Sequence, residues 1–292
     1  VWSKIFNRLI SRTSKGAAST QPERAKIFPV EILSNLYTHW GQTSLSSHYF
    51  RDPIQLKSPA SDAALPVPPT PAFNIYGFES SAAFLQAGEK SASALRSMMR
   101  DHKIPLHDEG AVLDWGCASG RVLRWFAQEA QEIEFWGVDQ DEAPIAWAKE
   151  NLSPPFHFVT GTAYPHLPFA DNKFNFIYGL SVFTHLEHFP DLWLMEMQRV
   201  MQPGGYAVFT IHDEYTVQYL LKHGRLPWLP TDLSLSEINQ HEVTIIRGKT
   251  WGQTVTFFRD DYIQREWGRY FEVVEIRPYS EGYQSAVVLR KR

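Results

Sequence analysis

The chain has 292 residues, 43 % apolar and 21 % charged, with a net charge of −4; these proportions suit one α/β domain of ordinary size with additions. No apolar run approaches the ~20 residues of a membrane-spanning helix, and the mild negative charge offers no basic face for a nucleic-acid partner. One cysteine, Cys117, excludes an intrachain disulfide and fits a reducing compartment such as the cytoplasm.

Residues 1–22 differ from the rest. Lys4, Arg8, Arg12 and Lys15 precede the first acid, Glu23, while Trp2, Ile5, Phe6, Leu9 and Ile10 recur at helical spacing. The pattern predicts a short basic amphipathic helix. Through residues 1–15 it suits peripheral contact with an anionic membrane; it also resembles an organellar targeting segment, or an arm packed on its own domain or a partner subunit. The small-residue cleavage site of a secretory signal is lacking. Six prolines between Pro53 and Pro71 predict an extended connector. Residues 1–72 therefore read as arm and connector, and 73–292 as the main domain.

From Glu79 to about His102 the composition turns helical, with Ser80 or Ser81 as the cap. Then strands and helices alternate. Ala111–Trp115 is a short apolar strand ending in an acid and a tryptophan, Arg121–Glu129 an amphipathic helix, and Phe135–Asp139 a second strand ending in an acid. Glu142–Asn151 is a helix with Pro144 in its first turn, where a missing N–H costs nothing. Strands follow at Phe156–Gly161 and Phe174–Leu180, a helix from about Pro190 to Met201 closed by Pro203-Gly204-Gly205, and a strand at Tyr206–His212. Alternation of this kind predicts a doubly wound parallel sheet.

The tail breaks the alternation. Phe271–Arg277 and Ser285–Arg290 are β-rich and too close for a crossover, so they pair antiparallel. Residues 213–258 form an insertion with a helix at Tyr215–His223 and two β-like runs, Glu242–Arg247 and Thr254–Phe258, before a helix at about Asp260–Tyr270. It leaves from the carboxyl edge of the strands, where open α/β sheets bind ligands, and is expected to be a lid over a substrate.

The strongest chemical signal is the run Val112-Leu113-Asp114-Trp115-Gly116-Cys117-Ala118-Ser119-Gly120-Arg121, set between a strand and a helix. Glycines there let the backbone approach a ligand. A pyrophosphate has no use for Asp114 beside the turn, whereas a ligand carrying a sulfonium and an ammonium does. Asp114–Gly120 resembles the glycine-rich first motif of class I S-adenosylmethionine-dependent methyltransferases, and Asp139, 25 residues after Asp114, resembles that family's ribose-binding acid. A carboxylate can accept from two vicinal hydroxyls at once.

The resemblance implies a doubly wound, seven-stranded α/β sheet, mostly parallel with one antiparallel terminal strand, plus the N-terminal arm and inserted lid. It implies S-adenosyl-L-methionine as cofactor, held by Asp114, Gly116, Cys117, Ala118, Gly120, Asp139 and Gln140. Gly161, Thr162 and Ala163 would read the adenine, although the family usually places an acid where Thr162 stands. Leu180 and Ser181 would lie beside the transferred methyl, and Tyr76 either near the sulfonium or, as a core tyrosine, in the packing. His185 is a candidate general base, or a histidine that packs or orients its loop, with His188 behind it as a base; His212 with Asp213 is an alternative base and orienting acid, or else a capped strand end. Cys117 in the turn reads as packing. No H-E-x-x-H-like spacing suggests a metal.

The implied reaction is methyl transfer to an oxygen or nitrogen of a small-molecule acceptor. A sugar or glycan-linked metabolite leads; a lipid, quinone or polyketide stands as the alternative, and a non-catalytic partner subunit that binds S-adenosylmethionine as another. A nicotinamide-dependent dehydrogenase is disfavoured by Ala118 at the central glycine position of the dinucleotide fingerprint.

Overall fold

The computed structural model describes residues 65–69, 78–106, 110–187, 190–224, 229, 234–247 and 254–292. The predicted amphipathic helix of the arm, most of the proline connector, Tyr76 and His188 lie outside the described residues. No helix among them is long and apolar enough to cross a membrane.

Strands β1 (Ala111–Trp115), β2 (Glu134–Asp139), β3 (His157–Thr160), β4 (Phe174–Gly179), β5 (Met201–Ile211), β8 (Glu272–Glu281) and β9 (Gln284–Arg290) form one sheet in the order β3-β2-β1-β4-β5-β9-β8. The first five run parallel, and β9 is antiparallel to both neighbours. Six strands therefore share a direction and the chain's last strand is reversed, as expected. A second sheet of β6 (Val243–Ile246) and β7 (Val255–Phe258) is antiparallel.

Alternate residues of the buried strands feed two cores, the pattern a sheet covered on both faces requires. Leu113, Trp115, Phe209 and Val287 pack on one face with α3 (Pro190–Val200) and the Ile263–Trp267 segment. Val112, Tyr178, Val208 and Val288 pack on the other with α1 (Ser81–Asp101) and α2 (Glu142–Leu152). Ser80 caps α1, its hydroxyl accepting from the Ala83 N–H at 3.1 Å.

Two expectations about backbone fail. The helix read over Arg121–Glu129 is instead a pair of 3₁₀ turns, Leu123–Phe126 and Glu129–Gln131. The Trp125 carbonyl, which a continuing helix would pair internally, accepts from the Arg96 guanidinium at 2.7 Å, and Arg96 also grips Glu129. Pro203-Gly204-Gly205 does not precede the fifth strand but lies inside β5, where the register against β4 slips between Phe174 and Phe176. Gly204 there has φ +77 and donates its N–H to the Lys291 carbonyl at 3.0 Å. Pro278 likewise falls within β8, which an edge strand tolerates.

The insertion holds α4 (Glu214–His223), a short α5 (Leu235–Ile238) that the sequence reading missed, and the β6–β7 ribbon, followed by α6 (Asp260–Glu266). Val217, Leu220, Leu229, Ile238, Val255 and Phe257 give it a small core of its own. Several hydrogen bonds fasten it at the carboxyl edge of the main sheet, three of them from the β7 segment. Phe258 N–H donates to the His212 carbonyl at 2.8 Å, Thr256 Oγ1 donates to the Leu186 carbonyl at 2.6 Å, and His185 Nδ1 meets the Thr254 carbonyl at 2.8 Å.

Candidate active site

The turn after β1 is built by hydrogen bonds between neighbouring strands. Parallel pairing sets Asp114 opposite Gly137 and Trp115 opposite Val138, so the chain leaving β1 drops onto the end of β2. There Gly116 and Cys117 both donate their N–H to the Val138 carbonyl, at 2.8 and 3.1 Å, and Gly120 donates to Cys117 at 2.9 Å. The loop takes φ +80 at Gly116, +48 at Ala118 and +75 at Gly120. A side chain at Gly116 would also place its Cβ 2.4 Å from Val182 Cγ2. Glycine is needed there for both space and conformation.

Asp139 closes the loop from the other side. Its Oδ2 accepts from the Ala118 N–H and its Oδ1 from the Asp141 N–H, each at 2.9 Å, while its carbonyl accepts from Gly161 at 2.7 Å. One acid thereby holds the first motif, the start of α2 and the turn after β3. Burial nonetheless raises its pKa, the backbone donors opposing that shift. A carboxylate offers about four acceptor sites, and the backbone donors of Ala118, Asp141 and Gln140 leave capacity for a ribose hydroxyl. Gln140 follows it, half-buried.

Asp114 is 4 % exposed, and its Oδ2 accepts from the Tyr178 hydroxyl at 3.0 Å. The pair follows from register, since Asp114 stands opposite Tyr178 across β1 and β4. Burial pushes the Asp114 carboxyl up to about 7, the Tyr178 hydrogen bond and the Arg121 charge opposing it. A cation brought beside such an acid favours its ionised form. Arg121 itself donates to Ser91 Oγ at 3.1 Å, and Ser91 Oγ donates to Glu281 Oε1 at 2.5 Å or to the Ala87 carbonyl at 2.9 Å. Helix α1 and the β8–β9 hairpin thus meet beside the turn. Neither the Tyr178 contact nor this polar chain was anticipated; their partners are far apart in sequence.

Cys117 is buried, and a Cβ at Gly137 would sit 2.7 Å from its Sγ. Burial pushes the thiol well above its ordinary pKa, which suits a packing role and not a nucleophile. Beyond β3, Gly161 and Ala163 flank Thr162, whose hydroxyl donates to the Tyr164 carbonyl at 3.0 Å and accepts from the Tyr164 N–H at 3.1 Å. That hydroxyl is engaged in its own turn.

Beyond β4, Leu180 packs on the inner core. Ser181, at φ +59, donates its N–H to Thr210 Oγ1 at 2.7 Å and its hydroxyl to Gln284 at 3.1 Å. His185 lies in the next turn. A carbonyl can only accept, so the Thr254 contact fixes the proton on His185 Nδ1 and leaves Nε2 as the acceptor in the neutral ring. Burial lowers the His185 pKa, keeping the ring neutral near pH 7.

The structure gives Asp213 the role of a helix cap on α4: its Oδ1 accepts from the Thr216 N–H at 3.0 Å, and the Thr216 hydroxyl accepts from the Asp213 N–H at 3.3 Å. His212 is 1 % exposed between Phe257 and Tyr283, with its pKa lowered to about 3, first by burial. A ring that weakly basic is a poor proton acceptor at neutral pH. Among the described residues, no group of acids, cysteines and histidines has the makings of a metal centre.

A family profile described as "Methyltransferase domain" matches residues 113–209, the stretch from the interior of β1 to the interior of β5. An uncharacterised methyltransferase of Schizosaccharomyces pombe is 32 % identical over 106 residues, 33 % of this chain and 37 % of that protein. A fatty-acid O-methyltransferase of Mycolicibacterium smegmatis is 30 % identical over 100 residues, 34 % of this chain and 36 % of that protein. The matched stretch thus spans little more than a third of these curated relatives. The fold is shared with an S-adenosylmethionine-dependent methyltransferase structure from Mesorhizobium loti. That likeness has a TM-score of 0.50 at 15 % identity, covering 68 % of this chain and 98 % of that one.

Proposed function

We propose that the chain is a class I S-adenosylmethionine-dependent methyltransferase that moves a methyl group to an oxygen or nitrogen of a small molecule, with a sugar or glycan-linked metabolite as acceptor. The observation that carries the reading is the three-way hold of Asp139, one carboxylate fixing the glycine turn while keeping acceptor sites for a ribose. When bound, S-adenosylmethionine supplies an electrophilic methyl on a sulfonium.

The chain's own residues divide the remaining work. Gly116, Cys117, Ala118 and Gly120 give the turn its shape, and Asp114 faces the ligand's ammonium with Tyr178 orienting it. Gln140, Gly161, Thr162 and Ala163 border the adenosyl end; Leu180 and Ser181 border the transferred methyl. Alignment supplies most of the acceleration in an in-line displacement. His185 stands as the base, its Nε2 accepting the proton of the acceptor hydroxyl while Nδ1 stays bonded to Thr254. The insertion over residues 213–258 acts as a lid on the acceptor.

A lipid acceptor is a second reading, suggested by the mycolicibacterial relative. Incubation with methyl-tritiated S-adenosylmethionine and an acceptor panel of glycosides, phenols and fatty acids tests both. Label in a glycoside supports the first reading, label in a fatty acid the second, and no transfer to any acceptor contradicts the proposed activity.

A further inference from the structure

One ring cluster is not absorbed by the cofactor site. Tyr215, Tyr219 and His223 are spaced four residues apart on α4 and so share one face of the helix. The β8–β9 hairpin brings Tyr279 and Tyr283 against that face. Tyr279 lies 5.9 Å from Tyr215 and 6.4 Å from Tyr219, and Tyr219 lies 6.0 Å from Tyr283. Tyr283 in turn stacks on His212 at 5.7 Å. The rings descend from the surface, where Tyr279 is 44 % exposed, to the buried end of β5.

This line of rings reaches the loop after β4, which the proposed function places beside the transferred methyl. Tyr283 is followed by Gln284, whose side-chain oxygen accepts from Ser181 at 3.1 Å. The hairpin tip sits at the carboxyl edge of the sheet, because β9 begins where β5 ends, Ser285 pairing with Ile211. Tyr279 holds φ +54, a strained conformation for a bulky side chain. Strain of that kind gathers where a side chain is aimed for function. The hydroxyls of Tyr215, Tyr219 and Tyr279 take no partner among the described residues.

We propose that Tyr215, Tyr219, Tyr279 and Tyr283 form the acceptor-binding wall, and that the acceptor is a ring bearing hydroxyls, not an extended acyl chain. Ring faces pack against the flat side of a saccharide or phenol while the tyrosine hydroxyls bond its substituents. An acyl chain would gain nothing from those hydroxyls and would have to desolvate them. The inference rests on the methyltransferase reading, with the wall beside the methyl-delivery loop.

The test uses ligand-observed saturation-transfer NMR on the full chain with S-adenosylhomocysteine present. The probes are methyl glucoside, methyl rhamnoside, catechol and octanoate, on wild type, Tyr279→Gly and Tyr219→Leu. A glycoside or catechol signal in wild type, weakened at least tenfold in both variants, supports the wall; which probe responds separates saccharide from phenol. Glycine relieves the strain at position 279, so its thermal midpoint should not fall, whereas a purely structural tyrosine there would cost stability. Octanoate alone binding, no ring probe binding, or ring binding undiminished in both variants overturns the wall. Failure to bind S-adenosylhomocysteine by calorimetry overturns the methyltransferase reading instead, so the two failures are told apart.

Discussion

The Ala118 N–H donates to Asp139 Oδ2 at 2.9 Å, so the residue at the centre of the glycine turn is held by the acid that ends the next strand. Asp139→Ala removes that tie together with the acceptor sites proposed for the ribose. Charge-assisted hydrogen bonds contribute about 1.5–3 kcal/mol each, so affinity for S-adenosylhomocysteine should fall at least about a hundredfold. Circular dichroism should keep its native shape. Calorimetry with unchanged affinity would remove Asp139 from the site.

Asp114 predicts a pH dependence with a definite sign. Its folded pKa of about 7 lies above the ordinary 3.8. The ligand-free protein therefore gains stability from the protonated acid, in full below about pH 4, and loses it as pH rises through about 7. A bound ammonium reverses the preference, favouring the carboxylate. Affinity for S-adenosylhomocysteine should rise between about pH 6 and 8 with proton release, seen as a heat that varies with buffer ionisation enthalpy. Asp114→Asn should flatten the profile; a slope that survives it places the titration elsewhere.

His185 and His212 should behave differently. His185→Gln is expected to lower kcat by about 10²–10⁴, the usual share of a general base, with cofactor affinity unchanged. The wild-type rate should fall on the acid side of a pKa below 6.5, as burial of the ring requires. Replacing His212 with glutamine should instead lower the thermal midpoint and leave that acid limb in place. A limb that disappears with His212 and not His185 would exchange their roles.

Gly88 lets α1 approach the turn after β1. A Cβ there would lie 2.2 Å from the Arg121 carbonyl oxygen and 2.8 Å from Trp125 Nε1. Gly88→Ala must push the helix away, at a cost of about 1–3 kcal/mol. A drop in thermal midpoint of roughly 2–4 °C per kcal/mol checks it. An unchanged midpoint would mean that the helix shifts freely.

The main sheet was readable because its strands are short apolar runs, two of them closing on acids, Asp114 and Asp139, that mark the ligand edge. The terminal reversal was readable from chain length alone, as no crossover fits between Arg277 and Ser285. What escaped depends on distant partners. Arg96 turns the segment after Gly120 from α-helix into 3₁₀ turns, and nothing near Trp125 in sequence announces it. Tyr178 looks like any core aromatic until β4 lies beside β1 and its hydroxyl finds Asp114. The roles of His212 and Asp213 stood open because a strand end and a catalytic pair share the same letters; the capping bond to Thr216 shows what Asp213 holds. The tyrosine wall needs α4 and the hairpin together, from segments more than fifty residues apart.

The most direct measurement is calorimetric titration of the purified chain with S-adenosylhomocysteine and, separately, with NAD. The account predicts micromolar binding of the adenosyl ligand at pH 8, weaker binding at pH 6, and no heat from NAD. Binding of NAD, or no binding of S-adenosylhomocysteine at either pH, would contradict it.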